Sequence, residues 1–216
     1  MGMPDTARRY TVEEVLEFPN DGNRYELVHG ELLVSPVPRV WHQVVAGRLH
    51  VRLSLNLDGH KNLALVLFSP ADFTWGTEDD LAQPDVFVVP VRETSEEWST
   101  IRTLLLAIEV LSPSTARHDR ITKRRLYQEH GVLTYWVVDP DARLVEVWHP
   151  GDQRPEIVTE RIAWTVGPDA PEMGIELEEL FAGAPGLSPR CRPKLGPIPE
   201  VAPAVAPRAA WPEGAR

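Results

Sequence analysis

The stretch LLLAIEVLSPST, residues 104–115, surrounds a single acid, Glu109, with seven apolar residues and then stops at Ser112-Pro113. Apolar residues on both faces are typical of a central strand that is covered on both sides. An ionised carboxylate in such a strand costs several kcal/mol unless it is paired or bound to a metal. Two interpretations of Glu109 are therefore open: a structural ion pair with an arginine downstream, or a functional site.

The residues after this strand predict a helix and further strands. The hydroxyls of residues 112–115 are suited to cap a helix that runs to Gly131, where glycine favours a helix end. YWVVD at 135–139 and RLVEVWH at 143–149 are strand candidates around Pro140-Asp141, and LEELF closes the domain as a short helix.

The residues before it predict two strands and a long helix. LALVLFS at 63–69 and DVFVV at 85–89 are strand candidates. Residues 40–57 predict an amphipathic helix. Its apolar stripe consists of Trp41, Val45, Leu49 and Leu53 at spacing four, widened by Val44, Val51 and Leu55.

The N-terminal part predicts a β-hairpin. RYELV at 24–28 and ELLVS at 31–35 flank His29-Gly30, which suggests a tight turn. With a two-residue turn, Glu26, Val28, Glu31 and Leu33 share one face of the hairpin. TVEEVLEF at 11–18 predicts a short helix that opens with a capping box at Thr11.

Composition limits the class of protein. The chain has 216 residues, 43 % hydrophobic and 25 % charged, as expected for a globular domain. We place this domain at residues 1–185 and interpret the proline-rich residues 186–216 as a disordered tail. The single cysteine, Cys191, excludes a disulfide framework and a cysteine-built zinc site, and it fits a cytoplasmic protein. No apolar run is long enough for a transmembrane helix, so we expect no membrane partner.

Asp85 is a second candidate for chemistry. Because proline cannot donate a ladder hydrogen bond, Pro84 fits the start of a strand, and Asp85 then shares a face with Phe87 and Val89. Pro-Asp is a common dipeptide, so an aspartate that only forms a turn or a cap is the alternative.

The predicted helix at 115–131 carries the densest positive cluster of the chain. Asp119, Lys123 and Tyr127 lie at spacing four and form one stripe, and the other surfaces are basic through Arg117, Arg120, Arg124 and Arg125. An exposed helix with a weak Asp–Lys pair is the simpler interpretation. With a formal net charge of −10, however, contact with a polyanion requires a local basic patch of this kind or a bound metal.

Three runs together resemble one known family: YELVHGELL at 25–33, QPDVFVV at 83–89 and AIEVLSPSTARHDRITKRRLYQEHGVLTYWVVDP at 107–140. They are similar to the Uma-two family of restriction-endonuclease-like proteins in the PD-(D/E)XK nuclease superfamily. The resemblance covers roughly residues 10–180, with the last run the most specific. It implies an α/β fold of restriction-endonuclease type, in which helices flank a mixed central β-sheet.

The resemblance also assigns roles to residues. It implies that Asp85 and Glu109 hold a divalent metal, Mg or Mn, and that a nearby lysine orients or activates the attacking water. The usual position of that lysine, two residues after the acid, is Leu111 here. In the Uma-two pattern the lysine lies on the following helix, which makes it Lys123.

Further candidates carry weaker signals. Glu26 or Glu31 would add a metal ligand, although glutamates on an exposed hairpin are more often solvated. His42 would contact substrate, or it is a partly exposed histidine near a helix start. Asp119 shares the stripe of Lys123, and Arg117, Arg120 and Arg124 are the candidates for contacts to nucleic acid.

The resemblance thus implies a metal-dependent endonuclease that hydrolyses phosphodiester bonds of DNA. The alternative is a catalytically silent nuclease-fold protein that serves as a binding or assembly module, favoured by Leu111 and by the acidic composition. DNA is the expected partner. Whether the chain also forms a homodimer stays open at this point.

Overall fold

A computed structural model describes residues 8–94, 100–167 and 170–184. The predicted tail at 186–216 and the predicted domain boundary at residue 185 lie outside these ranges. No helix in the described part of the chain has the length and apolar character needed to cross a bilayer.

The centre of the described structure is a six-stranded mixed sheet with the order β3-β4-β5-β6-β7-β8. Its strands are β3 (Ala64–Phe68), β4 (Val86–Pro90), β5 (Leu106–Val110), β6 (Tyr135–Asp139), β7 (Leu144–Trp148) and β8 (Glu156–Val158). β5 and β6 pair in parallel, and the other neighbours pair antiparallel. This confirms the expected α/β fold with a mixed central sheet.

Two hairpins accompany the sheet. The predicted N-terminal hairpin consists of β1 (Arg24–Val28) and β2 (Glu31–Ser35), with Glu26 opposite Leu33. α1 (Val12–Leu16) precedes it with the predicted capping box at Thr11. A second hairpin, β9 (Arg161–Trp164) with β10 (Met173–Glu176), leads into α4 (Leu177–Leu180). Helix α4 was predicted, whereas β8, β9 and β10 were not.

The long helix α2 (Val40–Leu57) forms where the apolar spacing predicts it, but its buried face differs in part. Val45, Leu49 and Leu53 are buried as expected. The predicted widening of the stripe by Val51 and Leu55 is wrong, because these residues are 53 % and 69 % exposed. At about 100° per residue they point away from the Leu49 side of the helix. The buried face widens instead toward His42, Ala46 and Leu57.

The sheet separates two apolar cores, which decides where Glu109 points. Leu106, Ile108 and Val110 of β5 pack in one core with α2 and α4. Ala107 and Leu111 belong to the other core, with residues of the N-terminal hairpin. Since side chains alternate along a strand, Glu109 faces this second side.

The crossover between β5 and β6 lies on the second side. It was predicted as one helix at 115–131 and consists of a π-helical segment, His118–Lys123, followed by α3 (Arg124–Glu129). Gly131 follows with a φ of +67°, as the glycine at a helix end requires. The predicted stripe of Asp119, Lys123 and Tyr127 is buried. The crossover therefore covers the strand face that carries Glu109.

Candidate active site

Glu109 lies on β5 with only 2 % of its surface exposed. Its Oε1 atom is 3.0 Å from the Lys123 ammonium and accepts a hydrogen bond of 2.8 Å from the Tyr127 hydroxyl. Both donors come from the crossover that follows the strand. An isolated acid in an apolar strand is thus paired, although by a lysine and a tyrosine and not by an arginine.

Lys123 is buried and contacts three carboxylates. Its Nζ atom lies 2.8 Å from Glu26 Oε2, 3.0 Å from Glu109 Oε1 and 3.4 Å from Asp119 Oδ1. The interpretation of an exposed helix with a weak Asp–Lys pair is therefore wrong. The π-helical segment places Lys123 at its end, and from there the ammonium reaches back to β5.

Asp85 precedes β4 directly, and each oxygen of its buried carboxylate is bonded. Oδ1 accepts from Arg24 at 2.9 Å, and Oδ2 accepts from the backbone N–H of Val110 at 2.8 Å. His42 Nε2 lies 2.9 Å from Oδ2. Against the cost of burial, the bond to His42 and the Arg24 charge lower the pKa of Asp85 to about 2. The Val110 contact places Asp85 beside the residue that follows Glu109.

We call Glu26, Asp85, Glu109, Asp119 and Lys123 together the acid cluster. Its four buried carboxylates face two buried or half-buried cations, Lys123 and Arg24. Burial raises the pKa of Glu109 well above its usual range, and the neighbouring acids add to this effect while Lys123 opposes it. Burial also raises the pKa of Asp119. The four carboxylates therefore outnumber Lys123 and the adjoining Arg24, and His42 beside Asp85 adds a positive charge only when it is protonated.

This surplus fits a hard divalent cation. A cavity of about 250 Å³ is lined by residues of the cluster, including Asp85, Glu109 and Asp119. The buried Glu26 Oε2 and Asp119 Oδ1 atoms contact the Lys123 ammonium, and among the described residues no other group donates a hydrogen bond to them. Among the described residues, no three His, Cys, Asp or Glu side chains form a ready metal-ligand group. A magnesium site needs only one or two carboxylates, since water and substrate phosphate complete it.

The structure brings three of the four weaker metal and substrate candidates to the acid cluster and leaves Glu31 apart from it. Glu26 and Asp119 belong to the acid cluster. His42 is buried and contacts the cluster through Asp85, so the interpretation of His42 as a partly exposed cap histidine is wrong. Glu31 is exposed and lines a different cavity with Arg125 and other residues, so the structure does not bring it to the cluster.

The basic residues of the crossover have different surroundings. Arg117 is exposed. Arg120 bridges Asp139 and Glu146 at 2.7 and 2.6 Å. The guanidinium of Arg124 lies 4.8 Å from the centre of the Trp148 ring. Their contact with nucleic acid stays a prediction. Arg117 is the most exposed of the three, and no acid of the described residues forms an ion pair with it.

Arg24 is a site residue that sequence reasoning missed. It opens β1 and binds both Asp85 and the backbone carbonyl of Gln83. A signal was present, because Arg24 precedes Glu26 by two residues and therefore shares its face of the strand.

Comparisons with known proteins support the family resemblance and the fold. The model of the Uma2 family, described as "Putative restriction endonuclease", matches residues 12–179. Among solved structures the chain is similar to "a putative nuclease belonging to DUF820" from Anabaena variabilis ATCC 29413. The TM-score is 0.65 at 23 % identity, over 79 % of this chain and 97 % of that chain, which supports the fold. No curated protein matches.

Proposed function

Because the chain belongs to the Uma2 family, described as "Putative restriction endonuclease", we propose that it hydrolyses phosphodiester bonds of DNA at the acid cluster with Mg²⁺ or Mn²⁺. One observation supports this above the others. The buried Lys123 ammonium lies 3.0 Å from Glu109 and lines the same cavity as Asp85. Two carboxylates can bind a metal ion, a cation can bind a phosphate oxygen, and the cavity leaves space for both ligands.

Asp85 and Glu109 would hold the metal. The bound ion would lower the pKa of a water molecule and stabilise negative charge on the phosphate. Lys123 would hold the attacking water or a phosphate oxygen as a fixed positive charge. Tyr127 orients Glu109, and Arg24 and His42 orient Asp85, through the hydrogen bonds and ion pairs given above. Most of these groups are buried, so little reorganisation is needed when substrate binds.

The test is cleavage of plasmid and single-stranded DNA by the purified chain with Mg²⁺, Mn²⁺ or EDTA. We expect cleavage that needs either metal and is lost in Asp85→Asn. Asp58→Asn is the matched control, because Asp58 is exposed and pairs with the surface residue Lys61. Equal cleavage by both variants would place the reaction at another site or in a contaminant.

A silent binding or assembly module is the second candidate function. Leu111 occupies the usual lysine position and packs in an apolar core, and Asp85 is already engaged by Arg24, His42 and Val110. This candidate predicts that the wild-type chain cleaves no DNA with any metal and yet remains folded. The same assay therefore separates the two functions.

A further inference from the structure

A second cavity adjoins the acid cluster. Its volume is about 420 Å³, within the roughly 300–1,000 Å³ that small-molecule sites occupy. Arg24, His42 and Asp85 line both this cavity and the smaller one at the cluster. The two spaces therefore meet at the carboxylate to which we assign metal binding.

The second cavity differs from the first in charge. Its charged lining residues are Arg24 and Asp85, and these two pair with each other at 2.9 Å. The remaining lining consists of apolar, amide, hydroxyl and imidazole groups. Such a surface attracts neither a free anion nor a free cation, and it suits a neutral ligand with apolar faces and polar edges.

An aromatic ring and an amide are available to such a ligand. Phe68 ends the edge strand β3 with 58 % of its surface exposed, and its ring packs edge-on against His50 with centroids 4.6 Å apart. The side-chain amide of Gln43, an exposed residue, has no hydrogen-bond partner among the described residues. Bases in single strands are recognised by stacking on aromatic rings and by hydrogen bonds at their edges.

We propose that the second cavity binds the base of an unpaired nucleotide whose phosphate lies at the acid cluster. The position of the phosphate rests on the proposed function. A base inside a duplex has both faces stacked, so the cavity selects single-stranded or flipped-out nucleotides.

Gly47 offers a way to fill the cavity without changing the acid cluster. It is exposed on α2 and lines the cavity, and a Cβ atom at this position would meet no other atom within 4 Å. Gly47→Leu adds a side chain there and improves helix propensity. Phe68→Ala removes the stacking ring. Val51→Leu is the matched control, since Val51 lies on the same helix, is exposed and does not line the cavity.

The experiment measures binding of a fluorescent single-stranded oligonucleotide and of an abasic chain of equal length and charge, by anisotropy in Ca²⁺. The wild type is expected to bind the intact strand at least about five-fold more tightly than the abasic chain, which is the lower limit for stacking one base. Gly47→Leu and Phe68→Ala should bring this ratio close to one, while Val51→Leu keeps it. Circular dichroism melting checks that Gly47→Leu is folded.

Three results would overturn the proposal: no preference or no binding by the wild type, an unchanged ratio in Gly47→Leu, or tighter binding of a duplex of the same sequence. Binding is measured without cleavage. A failure of the proposed function is seen separately, as absence of cleavage with Mg²⁺ or Mn²⁺ by a chain that still prefers the intact strand.

Discussion

Glu109 is held by two buried donors, the Lys123 ammonium and the Tyr127 hydroxyl. A glutamate that served only to neutralise Lys123 would need no further acids nearby, yet Glu26 and Asp119 contact the same ammonium. Surplus buried carboxylates are costly without a compensating cation. Local arrangements that cost stability are typical of functional sites, and this favours a functional over a structural interpretation of the cluster.

The first prediction compares the same substitution at two buried glutamates. In metal-free buffer Glu109→Gln should melt at or above the wild-type temperature, because glutamine keeps the shape and replaces a carboxyl whose ionised form burial disfavours. Glu146→Gln should lower the free energy of unfolding by about 1 kcal/mol, because a partly exposed charge-assisted bond to Arg120 is weakened. Thermal melting by circular dichroism in EDTA measures both. A larger loss in Glu109→Gln would indicate an ordinary structural ion pair.

Individual site residues differed in how well the sequence predicted them. Spacing alone placed Asp119, Lys123 and Tyr127 on one stripe, and the structure buries all three. That Lys123 reaches Glu109 was implied by the family resemblance, because helix spacing does not say over which strand a helix will lie. Arg24 was missed because its partner Asp85 is distant in sequence, and contacts of that kind depend on the sheet order.

Helix α2 and the strands β3 to β7 of the central sheet carry clear apolar patterns, and all of these elements were predicted. The strands β8, β9 and β10 are only three or four residues long, so too few side chains are present to show a period. The face of α2 was predicted in part, since exposed apolar residues such as Val51 and Leu55 resemble core residues in a sequence.

The second prediction tests this assignment of the α2 face. Leu53→Ala should cost about 2–5 kcal/mol of unfolding free energy, because Leu53 is fully buried and its removal leaves a cavity. Val51→Ala on the same helix should change the stability by less than about 0.5 kcal/mol. Urea unfolding followed by circular dichroism compares the two variants. Similar losses would mean that both sides of the helix are covered, for example by a second chain.

At the scale of the whole molecule, a net charge of −10 requires that any attraction to DNA be local. Composition predicted that requirement, but it did not show which arginines remain available. The structure assigns Arg120 to Asp139 and Glu146 and leaves Arg117 exposed.

The third prediction separates these two arginines. Arg117→Gln should weaken binding of single-stranded DNA and reduce the slope of log K against log salt by about 0.7, the value for one phosphate contact. Its melting temperature should not change. Arg120→Gln should leave the slope unchanged and lower the melting temperature, since Asp139 and Glu146 lose their partner. Anisotropy titrations over a range of salt concentrations measure the slopes, and the opposite pattern would place Arg120 at the DNA.

The most direct test of the acid cluster is DNA cleavage in Mg²⁺ or Mn²⁺ by the wild type, Glu109→Gln and Glu146→Gln, with melting temperatures measured on the same samples. We expect cleavage by the wild type and by Glu146→Gln, and at least a hundred-fold loss, about 2.7 kcal/mol of transition-state stabilisation, in a folded Glu109→Gln. Cleavage by Glu109→Gln at the wild-type rate would contradict a role of this carboxylate in the reaction.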